Sequence, residues 1–304
     1  MAVKQKKHFS NLKESAIRAF FFANGILAVL ILLGIFFLLL TTALPAFKDI
    51  DLGEFFTSTR WNPTSPVKEG YGILSMVVST FLVTLGAMII AVPIGIGAAA
   101  YLSDVAHWRA REIIKPIVEI LAAIPSVAYG FFAVLVLAPW MQKTFGFTTG
   151  TNALNAALIL AVMALPTIIS VAEDSISALG RELREASYSL GATRMETILR
   201  VIIPAAHSGI IAAVILGMMR AIGETMVVWM ASGNATQIPH PWWNLAESIR
   251  TMTATIAGEM GEAPEGSGHR SALFAVGVLL LMMTFCLNVV SEYFLSRAKK
   301  ALGK

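Results

Sequence analysis

Arg220 and Glu224 stand four residues apart inside the stretch AAHSGIIAAVILGMMRAIGETMVVWMA. That stretch is long and apolar enough to cross a bilayer. On a continuous helix the spacing puts both side chains on one face. Arg220 falls roughly 24 Å along such a helix from Pro204, around or just past mid-membrane. A guanidinium at that depth costs about 2.5–3.5 kcal/mol on insertion scales, and Glu224 offsets part of it. Two roles fit the pair. It is either a structural brace between packed helices, or a cation lining an anion's path, with Glu224 steadying it and taking up its charge when the path is empty. A planar guanidinium fork matches oxyanions bidentately, which favours an oxyanion for the second role.

Other polar groups sit at comparable depth. Thr225 adjoins Glu224. Ser126 and Tyr129 follow Pro125, where a helix loses a backbone hydrogen bond, so they either line a path or repair the helix. Thr80 and Thr84 share a face and read as internal hydrogen-bonders, and Lys115–Glu119 reads as a surface pair. The apolar stretches hold no H-E-x-x-H and no G-x-S-x-G, which argues against an intramembrane protease. No Walker A sequence is present, so ATP is not bound here by that route. No catalytic residue, metal site, cofactor or nucleic-acid contact is expected. The lone Cys286 reads as packing.

The elements that must position these groups are membrane helices. The 304 residues are 56% hydrophobic and 14% charged, against roughly 25% charged in soluble chains. The fold class is all-α, a polytopic membrane protein with six spans near 20–44, 74–102, 117–140, 152–172, 207–232 and 271–291. The first reads as a retained anchor, because its apolar run of about 26 residues exceeds the 7–15 of a signal peptide. Glu69 to Ser75 is expected outside the membrane or along its surface. Ala205, Gly209, Ala213, Gly217 and Ala221 recur every fourth residue and form a small-residue stripe, as do Ala91, Gly95 and Ala99. The chain divides into 1–70 (tail, anchor, outer segment), a core of 71–292 and a basic tail of 293–304.

Sixteen of the 23 Lys and Arg fall on the side of the N-terminus if that end is cytoplasmic. The positive-inside rule then places both termini, and the polar segment Glu173 to Pro204, in the cytoplasm. The outer segments 45–70 and 236–270 hold eight acids against five bases. Such a mouth does not attract a small anion, so an anionic cargo needs delivery. Within the outer segments Gly258 to Gly268 reads as a mobile loop. His240-Pro241-Trp242-Trp243 reads as an interfacial anchor or a contact for a delivery protein.

A connector between two spans needs only a few residues, and the one from Glu173 to Pro204 has about thirty. Its composition is helical on both sides of Gly191, which permits the positive φ of a turn between two short helices. Pro204 marks where the second helix yields to the next span. The expected form is an exposed helix–turn–helix elbow.

Glu185-Ala186-Ser187, Gly191 and Val201-Ile202-Ile203-Pro204 resemble the E-A-A-x3-G-x9-I-x-L-P signature of permease subunits of ABC importers. Ser187, Val201 and Ile203 are conservative departures. The resemblance implies an elbow that docks on a separate ATPase, with Glu185, Ala186, Gly191 and Pro204 as its coupling residues. Arg220-Ala221-Ile222-Gly223-Glu224-Thr225-Met226 resembles the R-A-[IL]-G-E-T-M run of phosphate-specific (Pst) permeases. The segment Glu119 to Gly130 does so as well, and Met226 with Ala122 to Ser126 is closer to the PstC type than to its sibling PstA. Over residues 70–292 this resemblance implies a type I importer fold and inorganic phosphate as cargo. It also implies a homologous PstA-type permease, a dimeric PstB-type ATPase and a PstS-type phosphate-binding protein as partners in a bacterial membrane. A channel or secondary transporter would suit Arg220–Glu224 but leaves the elbow unexplained. The sibling permease, or a sulfate or molybdate permease, remains the alternative.

Overall fold

The computed structural model describes residues 2–66 and 68–301. Lys304, assigned above to the basic tail, lies outside them. Four helices are long and apolar enough to cross a membrane: Ile17–Lys48, Leu74–Val105, Ala153–Ser177 and Gly268–Phe294. Two bent pairs make six crossings if each counts once. Trp108–Ala123 meets Ser126–Phe145 at 89°, and Arg194–Ala205 meets His207–Gly223 at 73°. We number the crossings one to six in chain order. The expected six-span, all-helical architecture holds; span three breaks at Pro125, as its proline predicts, whereas span five is interrupted at Glu224 where a continuous helix was expected.

Span four is the centre of the bundle, and small residues explain how closely its neighbours approach. A Cβ added at Gly95 of span two would fall 2.6 Å from Ile168 Cγ2, and one at Gly217 of span five 2.6 Å from Ile168 Cγ1. Ile168, fully buried on span four, is therefore gripped from two sides. A Cβ at Gly209 would fall closer still, 2.2 Å from Ser175 Oγ. Both predicted stripes pack as expected, through Ala91, Ala99, Ala213 and Ala221, all buried. The exception is Ala205, which lies before the bend into span five and is exposed. Span one instead presents Phe20, Phe21, Leu32 and Phe37 outward, as a helix facing lipid does. Cys286 is exposed on span six and does not pack inside the bundle.

Opposite the elbow, a small cap closes the bundle. Trp61–Asn62 pairs antiparallel with Gly70–Tyr71, just before span two starts at Leu74. Glu69 accepts the Tyr71 hydroxyl proton at 2.5 Å. Burial first, then this bond, pushes the phenol above its usual range. Glu259 ties the cap to the rest. It accepts from Trp61 Nε1 at 2.8 Å, lies 2.8 Å from His269 Nε2 and pairs with Arg250. The stretch expected to be a mobile loop is thus held at its first end, where Gly258 and Glu259 finish the helix Met252–Glu259. Near the other end Ser267 Oγ accepts from the Arg270 amide at 3.1 Å. Trp242 and Trp243 remain exposed, as an interfacial position requires.

At the elbow end the surface pair expected between Lys115 and Glu119 does not form. Lys115 Nζ lies 3.0 Å from Glu173 Oε2, Arg111 pairs with the other oxygen, and Ser177 Oγ donates at 3.3 Å. The reason is burial: Glu173 is 2% exposed and needs partners, whereas Arg111 and Lys115 keep 42% of their side-chain surface. This makes the cluster asymmetric. Glu173→Gln releases two cations that can turn to water and costs about 1 kcal/mol. Replacing both Arg111 and Lys115 with methionine strands a buried carboxylate and lowers the melting temperature of the purified protein several times further. Equal shifts for the two variants would contradict this account.

Candidate functional site

Span five stops as a helix at Gly223. Glu224 is extended (φ −71°, ψ 131°), Thr225 follows at φ −111°, ψ −60°, and a helix restarts over Met226–Ala231. The break is satisfied locally and from afar. Thr225 Oγ1 donates to the Gly223 carbonyl at 3.3 Å, and Thr253 Oγ1 donates to the Glu224 carbonyl at 2.8 Å. Glu224 Oε1 accepts from the Val227 amide at 3.5 Å. Arg220 and Glu224 therefore do not share a helical face, because the four-residue argument needs a helix that runs through both. Among the described residues no ion pair joins them. Arg220, on the last turn, is exposed.

Span three breaks at the expected proline. Its first helix ends at Ala123, Pro125 is extended, and Ser126 opens the next helix. The Tyr129 hydroxyl donates to the Leu121 carbonyl at 2.9 Å. Tyr129 thus repairs the break and is committed to it, while Ser126 is half-buried with no hydrogen bond of its side chain among the described residues. The two broken spans meet. Gly130 sits so close to Met230 that a Cβ there would lie 2.5 Å from its sulfur.

Beside the break lies a cavity of about 10 Å³, room for a single water. Glu224, Thr80, Thr84, Thr251 and Thr253 supply its polar lining. Of the four pathway residues expected from the sequence, only Glu224 faces it; Arg220, Thr225 and Ser126 do not. Thr80 is the internal hydrogen-bonder it was expected to be, donating to the Met76 carbonyl at 2.7 Å and accepting from the Met252 amide at 3.2 Å. Nothing in the sequence points to Thr251 and Thr253, since the segment that returns them to the bundle carries no periodic signal.

The elbow forms as expected. Arg181–Ser189 is its first arm, Gly191 turns the chain at φ 83°, and Arg194–Thr197 starts the second. Thr193 and Glu196 form a reciprocal cap there. The Thr193 backbone amide, then its hydroxyl, hold the Glu196 carboxyl below its usual range. Ser187 and Thr197 join the arms through their hydroxyls at 2.8 Å. Glu185 and Ala186 are exposed, and Leu190 at the tip is 89% exposed. Pro204 lies one residue inside a short helical turn, and the bend into span five falls at Ala206 instead. Pro204 is the penultimate residue of the continuous helix Arg194–Ala205, just after its π-helical turn Ile198–Ile202.

Residues 91–300 match the family described as the binding-protein-dependent transport system inner membrane component. The chain belongs to that family. As such a membrane component, it is similar over four-fifths or more of its length to several curated relatives. A probable ABC transporter permease protein, YqgH, of Bacillus subtilis is 39% identical over 246 residues, 81% of this chain and 78% of the relative. The phosphate transport system permease protein PstC of Mesorhizobium japonicum is 36% identical, covering 82% and 80%. That of Haemophilus influenzae is 31% identical over the full length of both chains. Among solved structures, an inward-facing conformation of the MetNI methionine ABC transporter superposes at a TM-score of 0.53. It is 19% identical and covers 75% of this chain and 94% of that one, a likeness of fold. The protein is thus a multi-pass transport component of a membrane.

Proposed function

We propose that this chain is the PstC-type permease subunit of an ATP-driven importer of inorganic phosphate. The observation that carries the reading is the full-length match to a PstC protein, together with an arginine that has no acidic partner among the described residues, beside a break in two packed spans. Both termini and the elbow face the cytoplasm, where sixteen of the 23 basic residues then lie. Its partners are a PstA-type permease, a PstB-type ATPase dimer under the elbow and a PstS-type binding protein at the opposite mouth. The cavity beside Glu224 is too small for phosphate, so passage needs a state in which the broken spans separate. Arg220 meets the anion as they do.

ATP hydrolysis by the complex reconstituted in vesicles tests the cargo. Phosphate should stimulate it and sulfate or molybdate should not; stimulation by sulfate alone would replace phosphate as the substrate. The elbow is tested separately. Glu185 lies on an exposed arm about one and a half turns from the bare Leu190 tip, as a docking residue must. Glu185→Lys should weaken retention of the ATPase subunit by roughly tenfold, the equivalent of one charged hydrogen bond. Unchanged co-purification would take Glu185 out of the interface.

A further inference from the structure

The elbow continues covalently into span five, but the joint is a poor lever. The chain turns by 73° at Ala206, whose φ −84° and ψ 2° interrupt the helix. A push on the elbow is therefore not delivered lengthwise to the Arg220 break. The firm attachment lies elsewhere. Arg184, on the first arm, grips the Asp104 carboxylate bidentately, through Nε at 2.5 Å and Nη2 at 3.3 Å. Both side chains are largely buried, 16% and 6% exposed. The same guanidinium donates to the carbonyls of Ile176 at 3.1 Å, Leu179 at 2.6 Å and Gly180 at 3.3 Å, where span four ends. From the second arm, Arg194 donates to the Asp104 backbone carbonyl. Asp104 itself sits in the π-helical turn Tyr101–Val105 that finishes span two.

One residue at the end of span two, Asp104, is thus held from both arms of the elbow, its carboxylate by Arg184 and its backbone carbonyl by Arg194, and the Arg184 guanidinium joins that end to span four. Followed upward, span two carries Thr80 and Thr84 into the lining of the Glu224 cavity. We propose that Arg184–Asp104 is the link through which displacement of the elbow enters span two and reaches the substrate path. This rests on the reading of the elbow as the ATPase contact. A bidentate arginine–carboxylate pair fixes orientation as well as distance, so it transmits rotation. Lysine keeps the charge and loses that constraint.

The experiment uses the whole importer in vesicles, with phosphate uptake and ATP hydrolysis measured on the same preparation. Asp104→Asn and Arg184→Lys change little in size. Each should assemble with the ATPase and hydrolyse ATP within about twofold of the parent, while phosphate moved per ATP falls about tenfold. The double variant should be no worse than either single one, because both break one link. An unchanged ratio would overturn the proposal, and so would uptake and hydrolysis lost together through failed assembly, which would make the pair a structural brace. A parent complex whose hydrolysis ignores phosphate would instead strike the proposed function and not this link.

Discussion

Substituting Arg220 with glutamine should leave the complex assembled and lower phosphate uptake by about two orders of magnitude. The estimate comes from the two charge-assisted hydrogen bonds that a guanidinium fork can offer one oxyanion. At about 1.5 kcal/mol or more each they sum to at least ~3 kcal/mol, or roughly 100-fold. Assembly should survive because Arg220 is exposed and makes no ion pair among the described residues, so its loss strands no carboxylate. A neutral side chain also sits more easily at membrane depth than a cation. Arg220→Lys should fall between the two, keeping a charge without the planar fork. Uptake at the parental level in the glutamine variant would remove Arg220 from the path. Loss of the assembled complex would return it to the structural brace first considered.

The contrast between Arg220 and Gly191 shows what could be read before the structure. Gly191 was legible because a turn between two helices is a local event, and the positive φ it needs is a property of one residue. The small-residue stripes were legible for a similar reason, since a four-residue period is a local regularity with one common cause in membranes. The break at Glu224 was not. Glu224 favours helix and Gly223 alone is no signal, since Gly95 and Gly209 sit inside unbroken helices; what holds the chain open is a hydrogen bond from Thr253, 29 residues away. Where a breaker was present in the chain itself, at Pro125, the break was found. Distance in sequence also hid the ion pairs. Lys115 lies four residues from Glu119, yet a buried Glu173 in another span claims it. Arg184 and Asp104, 80 residues apart, share no pattern at all.

Introducing alanine at both Gly95 and Gly217 should abolish the folded protein, although each substitution adds a single methyl group. Each new Cβ would press on Ile168 at 2.6 Å. Overpacking of this kind typically costs about 1–3 kcal/mol when the neighbour can shift. Here Ile168 can yield to one methyl only by moving toward the other helix, so the pair should cost more than the sum of the singles. Ile168→Ala removes the atoms that clash. Added to Gly217→Ala, it should leave the protein less destabilised than the two separate losses predict, by about 1–2 kcal/mol. Thermal unfolding of the purified permease and its yield in the assembled complex both report this. The consequence reaches past stability. If spans two, four and five are locked at Ile168, the elbow below and the cavity above belong to one body, and a rotation imposed on Asp104 arrives at Thr80 undiminished. The relieved variant Gly217→Ala/Ile168→Ala then folds with a looser joint, and should move less phosphate per ATP than its stability alone would suggest. If Gly95→Ala/Gly217→Ala is as stable as the parent, the three spans can slide past one another at this level, and no single body carries the motion.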